Sequence, residues 1–330
     1  MFEFIKSRDV TIDLLRFFGL SLIILAHVNP PNLLFQWRVF DVPLMLFVSG
    51  LAFSGRKPDF SLHFFFKRVK RLVIPVYVFL TVYFSFVSIA RLAGIDFGVR
   101  LHHVIGSYLL MDGIGYVWVI RVFLIVGIFT PLLLALDHKI KHHGLFLLIV
   151  VAILLVDEML IVNKVGLAIP FVQETVYYGI GYGLIFSLGL RFNRFSPKQK
   201  VFVFVVAALG YAGLQLVAYR VGGVISIQAF KYPPRALFLL YGTMMSFLTV
   251  TIVKALVHNE AHSPKWMLFI GQNTIWIYLY HIPLSPLTGM VSFPWFVRFI
   301  VVYTASALVV YMQNLIVYKF KFPYSTYFIG

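Results

Sequence analysis

Arg16 and His27 lie eleven residues apart in one apolar stretch, TIDLLRFFGLSLIILAHV, residues 11–28. Eleven residues make almost three whole turns of an α-helix, so both side chains share a face, separated by roughly 16 Å of rise. A cation and an ionisable imidazole are costly inside a hydrophobic span, which makes both candidates for function. The spacing suggests a division of labour: the arginine grips an anion near one membrane face, and the imidazole works near the other. A neutral imidazole at that depth can accept a proton. Asp13 precedes Arg16 by three residues, the spacing at which helical side chains pair.

Other ionisable residues can be set around this pair. Asp41 follows the short Asn29-Pro30-Pro31 loop at the outer side. It reads either as the hydrogen-bond partner that fixes the His27 tautomer or as the start of a helix with Pro43 in its first turn. One aspartate can do both. Arg68 and Arg71, in Lys67-Arg68-Val69-Lys70-Arg71, share a helical face. They suit the phosphates of a nucleotide-like donor, although from this run alone an anchor for anionic lipid is the simpler reading. Arg121 falls one turn after Trp118 within an apolar run and needs an acidic partner or a wet cavity. Glu174 is a candidate partner, and the group forms either a structural ion pair or part of an acceptor pocket. His281 reaches roughly the depth of His27, as a structural histidine or a second site residue. His102-His103 and His142-His143 lack companion ligands at metal-binding spacing, so no metal site is expected. The absence of cysteine excludes disulfides, thiolate metal sites and a cysteine acyl-enzyme.

The elements that position these residues are membrane helices. Of 330 residues 61% are hydrophobic and 12% charged, against about 25% charged in a soluble domain. Too few polar side chains remain to coat a water-facing surface. Apolar windows of about 20 residues predict ten spans, at residues 11–29, 38–55, 71–91, 116–136, 145–162, 172–190, 201–220, 234–254, 266–285 and 294–316. The net charge of +16 concentrates in alternate loops: Lys6 and Arg8; Arg56 to Arg71; Lys139 and Lys141; Arg191 to Lys200; Lys254 and Lys265; Lys319 and Lys321. By the positive-inside rule both termini are cytoplasmic, and the basic excess reports topology rather than a nucleic-acid partner. The expectation is an all-α, polytopic bundle of about ten transmembrane helices, one domain over residues 1–330, multi-pass in the cell membrane. Neither a cleavable signal peptide, an internal repeat nor a soluble appendage is evident. The segment 60–67 reads as an interfacial helix, and 92–115 as a loop with a re-entrant turn.

Taken in order, these residues resemble the acyltransferase 3 family of integral membrane acyltransferases. The resemblance rests on Asp13-x-x-Arg16, the R-x10-H pair Arg16/His27, Asp41-Val42-Pro43…Phe47-Val48-Ser49-Gly50, and the R-x-x-R of Arg68/Arg71 before Leu72-Val73-Ile74-Pro75. Trp118-Val119-Ile120-Arg121 and Asn273-Thr274…Ile277-Tyr278-Leu279-Tyr280-His281 extend it over most of the chain. It is to the stand-alone branch, without a fused esterase-like domain. The resemblance implies transfer of an acyl group, usually acetyl from acetyl-CoA, onto a hydroxyl of a bacterial cell-envelope glycan. It assigns the R-x10-H histidine to catalysis and the R-x-x-R pair to the donor side. The pantetheine arm of coenzyme A is comparable in reach to the Arg16–His27 separation.

The expected activity is therefore O-acylation of a cell-envelope glycan or lipid-linked saccharide, by direct transfer with His27 as base or through an acyl-histidine. Arg16, Arg68 and Arg71 would bind the donor; Trp118, Arg121, Glu174 and His281 would line the acceptor side. Two other readings stay open. One is a transporter or flippase for a lipid-linked glycan, which inverted repeats would favour. The other is a chain that hands its acyl group to a separate secreted transferase.

Overall fold

The computed structural model describes residues 9–111, 113–114, 117–221, 223, 226–257, 263–320 and 325–329. Lys6, Arg8, Tyr116 and Lys321 lie outside the described residues. The described chain is helical, with no strand among its residues. In order the helices are α1 (Val10–Ala26), α2 (Asn32–Trp37), α3 (Asp41–Phe53), α4 (Leu62–Leu92), α5 (Leu101–Tyr108), α6 (Trp118–Lys139), α7 (His143–Val162), α8 (Tyr178–Arg191), α9 (Pro197–Val221), α10 (Ala236–Leu256), α11 (Lys265–Gln272), α12 (Thr274–Gly289) and α13 (Trp295–Lys319).

Among the described residues, seven helical segments are long and apolar enough to cross a membrane: Asn32–Phe53, Leu62–Leu92, Trp118–Lys139, His143–Val162, Pro197–Arg220, Ala236–Leu256 and Trp295–Lys319. The other three expected spans are also helical, but shorter or interrupted. The first is α1, 17 residues long. In the sixth, a π-helical segment, Val172–Tyr177, leads into α8. The ninth is divided at Asn273, which closes α11 and opens α12. Helices α7 and α9 carry the clearest membrane signature. The apolar windows in their spans have mean hydropathies of 2.9 and 2.2, yet only 17% and 11% of those windows is buried. Apolar on every face and scarcely covered by protein, such helices need lipid as their solvent. This is a multi-pass membrane protein.

Two expectations change in detail. Residues 60–67 do not form a separate interfacial helix. Ser61 Oγ caps Phe64 N at 3.2 Å, and helix α4 then runs through the basic cluster without a break for 31 residues. At 1.5 Å per residue it is about 46 Å long, beyond the ~30 Å of a hydrocarbon core, so Lys67 to Arg71 belong to a projecting end of the helix. In 92–115, the short helix α5 docks on α4, with Tyr77 Oη donating to the Tyr108 carbonyl at 2.8 Å and Tyr108 Oη bonded to Thr81 Oγ1 at 2.8 Å.

The interior is organised around α3 and α8, which make the most extensive helix contact; α1 lies against α3 and α11. Glycines set the spacing. A Cβ at Gly189 would stand 2.1 Å from the Phe47 carbonyl oxygen, and one at Gly50 2.1 Å from that of Phe186. Only the missing side chains let the two backbones meet. Gly271 brings α11 equally close to α1, where a Cβ would fall 2.0 Å from the Asp13 oxygen.

Candidate active site

His27 stands at the C-terminal cap of α1, its backbone N–H bonded to the Ile24 carbonyl at 3.0 Å. At this capping position the residue as a whole is half-buried. Helix α12 supplies its partner. His281, fully buried, places Nε2 3.0 Å from His27 Nδ1, while its own Nδ1 bonds the Tyr278 carbonyl one turn back.

These bonds assign the protons. A carbonyl oxygen only accepts, so His281 Nδ1 carries hydrogen and its Nε2 offers a lone pair. His27 Nδ1 must then donate to it, which leaves the lone pair of His27 on Nε2. The Ile23 carbonyl also accepts from the His27 ring, and on this assignment it shares the Nδ1 hydrogen with His281. In its neutral form His27 therefore carries its lone pair on Nε2, outside the dyad, the tautomer a general base requires. The Tyr278 carbonyl and His281 set that tautomer, a task that falls to an aspartate in Ser-His-Asp sites.

Asp41 does not take this role. Its carboxylate accepts from Arg38 Nη1 at 2.6 Å, from Lys231 Nζ at 3.1 Å and from the Val42 backbone at 2.7 Å. The reason is local. A 3-10 turn, Arg38–Phe40, sets Arg38 three residues before Asp41 on the side of the first turn of α3. The loop before α10 is fastened to α2, where Gln36 Oε1 accepts from Ser226 Oγ at 3.1 Å and from Gln228 N at 3.2 Å. That fastening delivers Lys231 to the carboxylate. All three charged residues are buried, at 2%, 2% and 3% exposure for Arg38, Asp41 and Lys231. Arg38 and Lys231 are both close enough to act electrostatically on the His27 ring.

A second wall adjoins this triad. Arg121 pairs with Glu174, which the π-helical turn before α8 carries. The Arg121 guanidinium lies 5.8 Å from the Tyr178 ring centre, and Lys231 Nζ lies 5.4 Å from that of Trp118. Trp118, Tyr178 and Tyr232 meet edge to face. Trp118, Arg121 and Glu174 are therefore brought to one region with Lys231.

At the other end of α1, Arg16 lies 3.6 Å from Asp13, whose second oxygen accepts from Gln272 Nε2 at 2.8 Å. Arg68 lies over the Phe53 ring at 4.2 Å and within electrostatic reach of Arg16, Arg56 and Arg71. Four arginines from α1, α4 and the intervening turn therefore gather at one end of the bundle, a ready site for a multiply charged anion.

Sequence reasoning singled out neither Arg38 nor Lys231. Arg38 had a signal, the i, i+3 spacing to Asp41. Lys231 had none, because its partner is 190 residues away. Among the described residues no group of three or more His, Cys, Asp or Glu could hold a metal.

Residues 9–312 match the acyltransferase domain model Acyl_transf_3. No curated protein and no solved structure matches the chain significantly. The match takes in both ends of α1, the arginine cluster, the charged triad and the histidine dyad, and the chain belongs to the acyltransferase 3 family of membrane acyltransferases.

Proposed function

We propose that this chain transfers an acyl group, acetyl in the simplest case, from acyl-CoA to a hydroxyl of a cell-envelope glycan or lipid-linked saccharide. The observation that carries this reading is the 3.0 Å contact of His27 Nδ1 with His281 Nε2, roughly three helical turns from an arginine cluster. Arg68 and Arg71, with Arg16 deeper in, bind the phosphates of the donor on the cytoplasmic side. The pantetheine arm then brings the thioester to His27. His27 Nε2 takes the proton of the acceptor hydroxyl as its oxygen attacks the thioester carbon. The carbonyl electrons move onto oxygen, the carbon–sulfur bond breaks as they return, and the coenzyme thiolate recovers the proton from His27. The products are an ester and free coenzyme A. Trp118, Arg121 and Glu174 line the acceptor side, where a sugar ring packs against indole and bonds to the ion pair. On this reading α1 crosses the membrane with its Arg16 end toward the cytoplasm and its His27 end toward the opposite face, so donor and acceptor enter from opposite sides.

The test is transfer of labelled acetyl from acetyl-CoA to endogenous glycan in membranes that contain the protein. Wild type is expected to label the glycan, and His27→Ala to lose at least ~10²-fold in rate, the contribution of a positioned general base. Equal labelling by His27→Ala would remove the histidine from the mechanism. Labelled acetyl retained on wild-type protein without acceptor would replace direct transfer by an acyl-enzyme.

A further inference from the structure

The charges beside His27 do not balance. Arg38 and Lys231 bring two cations and Asp41 one carboxylate; Arg121 and Glu174 cancel, and the histidine dyad in its neutral form adds nothing. Within this group of described residues one positive charge is left over. Asp41, with a single negative charge, offsets only one of the two cations bonded to it. Hydrogen-bond donors are left over as well. Lys231 gives one of its three N–H groups to Asp41, and the ring centres of Trp118 and Tyr232 lie 5.4 and 5.8 Å from its Nζ. Arg38 Nε and the Tyr182 hydroxyl are buried with no hydrogen-bond partner among the described residues. Buried donors and an unanswered buried charge are costly to maintain for stability alone. They mark a place where negative charge arrives.

Resting on the acyl-transfer reading above, we propose that Lys231 is a catalytic residue that holds the acyl carbonyl oxygen and stabilises its negative charge in the tetrahedral intermediate, with Arg38 as the supporting cation. The position favours a transient charge over a permanent one. The arginine cluster at the far end of α1 already suits standing phosphates, whereas a single excess charge beside the base matches a single charge that develops during reaction. Asp41 then has a positioning role. It holds the Lys231 ammonium in place and offsets part of its charge in the resting state. Donors set before the charge appears cost no reorganisation when it forms, which is the source of their effect on rate.

The experiment measures acetyl transfer from acetyl-CoA to endogenous glycan in membranes containing wild type, His27→Ala, Lys231→Met or Lys231→Arg, over a range of acetyl-CoA concentrations. Lys231→Met leaves Asp41 bonded to Arg38 and is expected to fold; size-exclusion elution and melting in detergent check this. Its kcat should fall about 10²–10³-fold, the usual effect of removing one oxyanion donor, with KM for acetyl-CoA unchanged. Lys231→Arg should recover part of the rate. Should Lys231→Met not fold, Asp41→Asn/Lys231→Met removes the stranded carboxylate and is read against Asp41→Asn, which keeps the ammonium and should lose less. Wild-type turnover in Lys231→Met, or a loss confined to KM, would overturn the assignment; the latter would point to an anion bound in the ground state. Loss with His27→Ala but none with Lys231→Met refutes Lys231 alone. No transfer by wild type, or full transfer by His27→Ala, refutes the functional reading and the Lys231 assignment with it.

Discussion

At the residue scale the central feature is a histidine oriented by another histidine. The 3.0 Å bond between His27 Nδ1 and His281 Nε2 works only while His281 donates its other proton to the Tyr278 carbonyl. Replacing His281 by alanine should therefore lower kcat at least tenfold with little change in KM for acyl-CoA, because the base is present but no longer held in one tautomer. Glutamine, whose side-chain oxygen can accept from His27, should recover part of the rate. Equal kcat in all three proteins would show that the dyad is only packing. The arginines make a separate prediction. A charge-assisted hydrogen bond is worth about 1.5–3 kcal/mol, so Arg68→Ala and Arg71→Ala should each raise KM for acyl-CoA tenfold or more with kcat nearly kept. Titrating initial rate against acyl-CoA concentration measures this, and an unchanged KM would return the pair to lipid anchoring. The sequence exposed Arg16 and His27 because their relation is local, a matter of helical period. It also placed His281 at similar depth, by counting along a span. It gave Asp41 the wrong neighbour: local spacing could reveal Arg38, whereas Lys231 arrives from a loop 190 residues away that no pattern in the chain connects to α3.

At the element scale the site depends on helices that approach without side chains between them. The Gly189 and Gly50 contacts join α3, which carries Asp41, to α8, which follows Glu174. Gly189→Ala would drive a methyl group into the Phe47 carbonyl, a contact that backbone cannot yield cheaply. The cost should reach or exceed the ~1–3 kcal/mol typical of overpacked cores, seen as a lower melting temperature and lower yield in detergent. Gly213→Ala, at a position with open space around the added carbon, is the control and should melt like wild type. A Gly189→Ala protein as stable as wild type would contradict the packing described here. Helix positions were legible from hydropathy because a span must be apolar along its length. Two boundaries were not. The basic run in α4 looks like an interface but continues the helix, since no residue between Ser61 and Pro75 breaks it. The apolar windows also run across Asn273, although the chain turns there. Asn273 Nδ2 bonds the Phe269 carbonyl at 2.7 Å, and its Oδ1 accepts from Asn314 of α13 at 3.1 Å. Hydropathy averages over such a break.

At the scale of the whole molecule, charge and hydropathy divide the bundle into two ends. Arg16, Arg56, Arg68 and Arg71 collect at one, and His27, Arg38, Asp41 and Lys231 surround the opposite end of α1. On the proposed reading the basic loops put the first end in the cytoplasm. A chain without cysteine allows a direct check by single substitutions. Lys57→Cys and Lys141→Cys should react with an impermeant maleimide only after the membrane is opened, whereas Leu33→Cys and Ser292→Cys, at exposed positions, should react in intact cells. Labelling of Lys57→Cys and Leu33→Cys from the same side would contradict the two-ended arrangement. The most direct test of the central claim is mass spectrometry of envelope glycans from cells that make wild type, His27→Ala or no protein. The account predicts an acyl-sized mass increment with wild type alone, its size naming the group. Identical glycans in all three, with both proteins folded and present in the membrane, would contradict it.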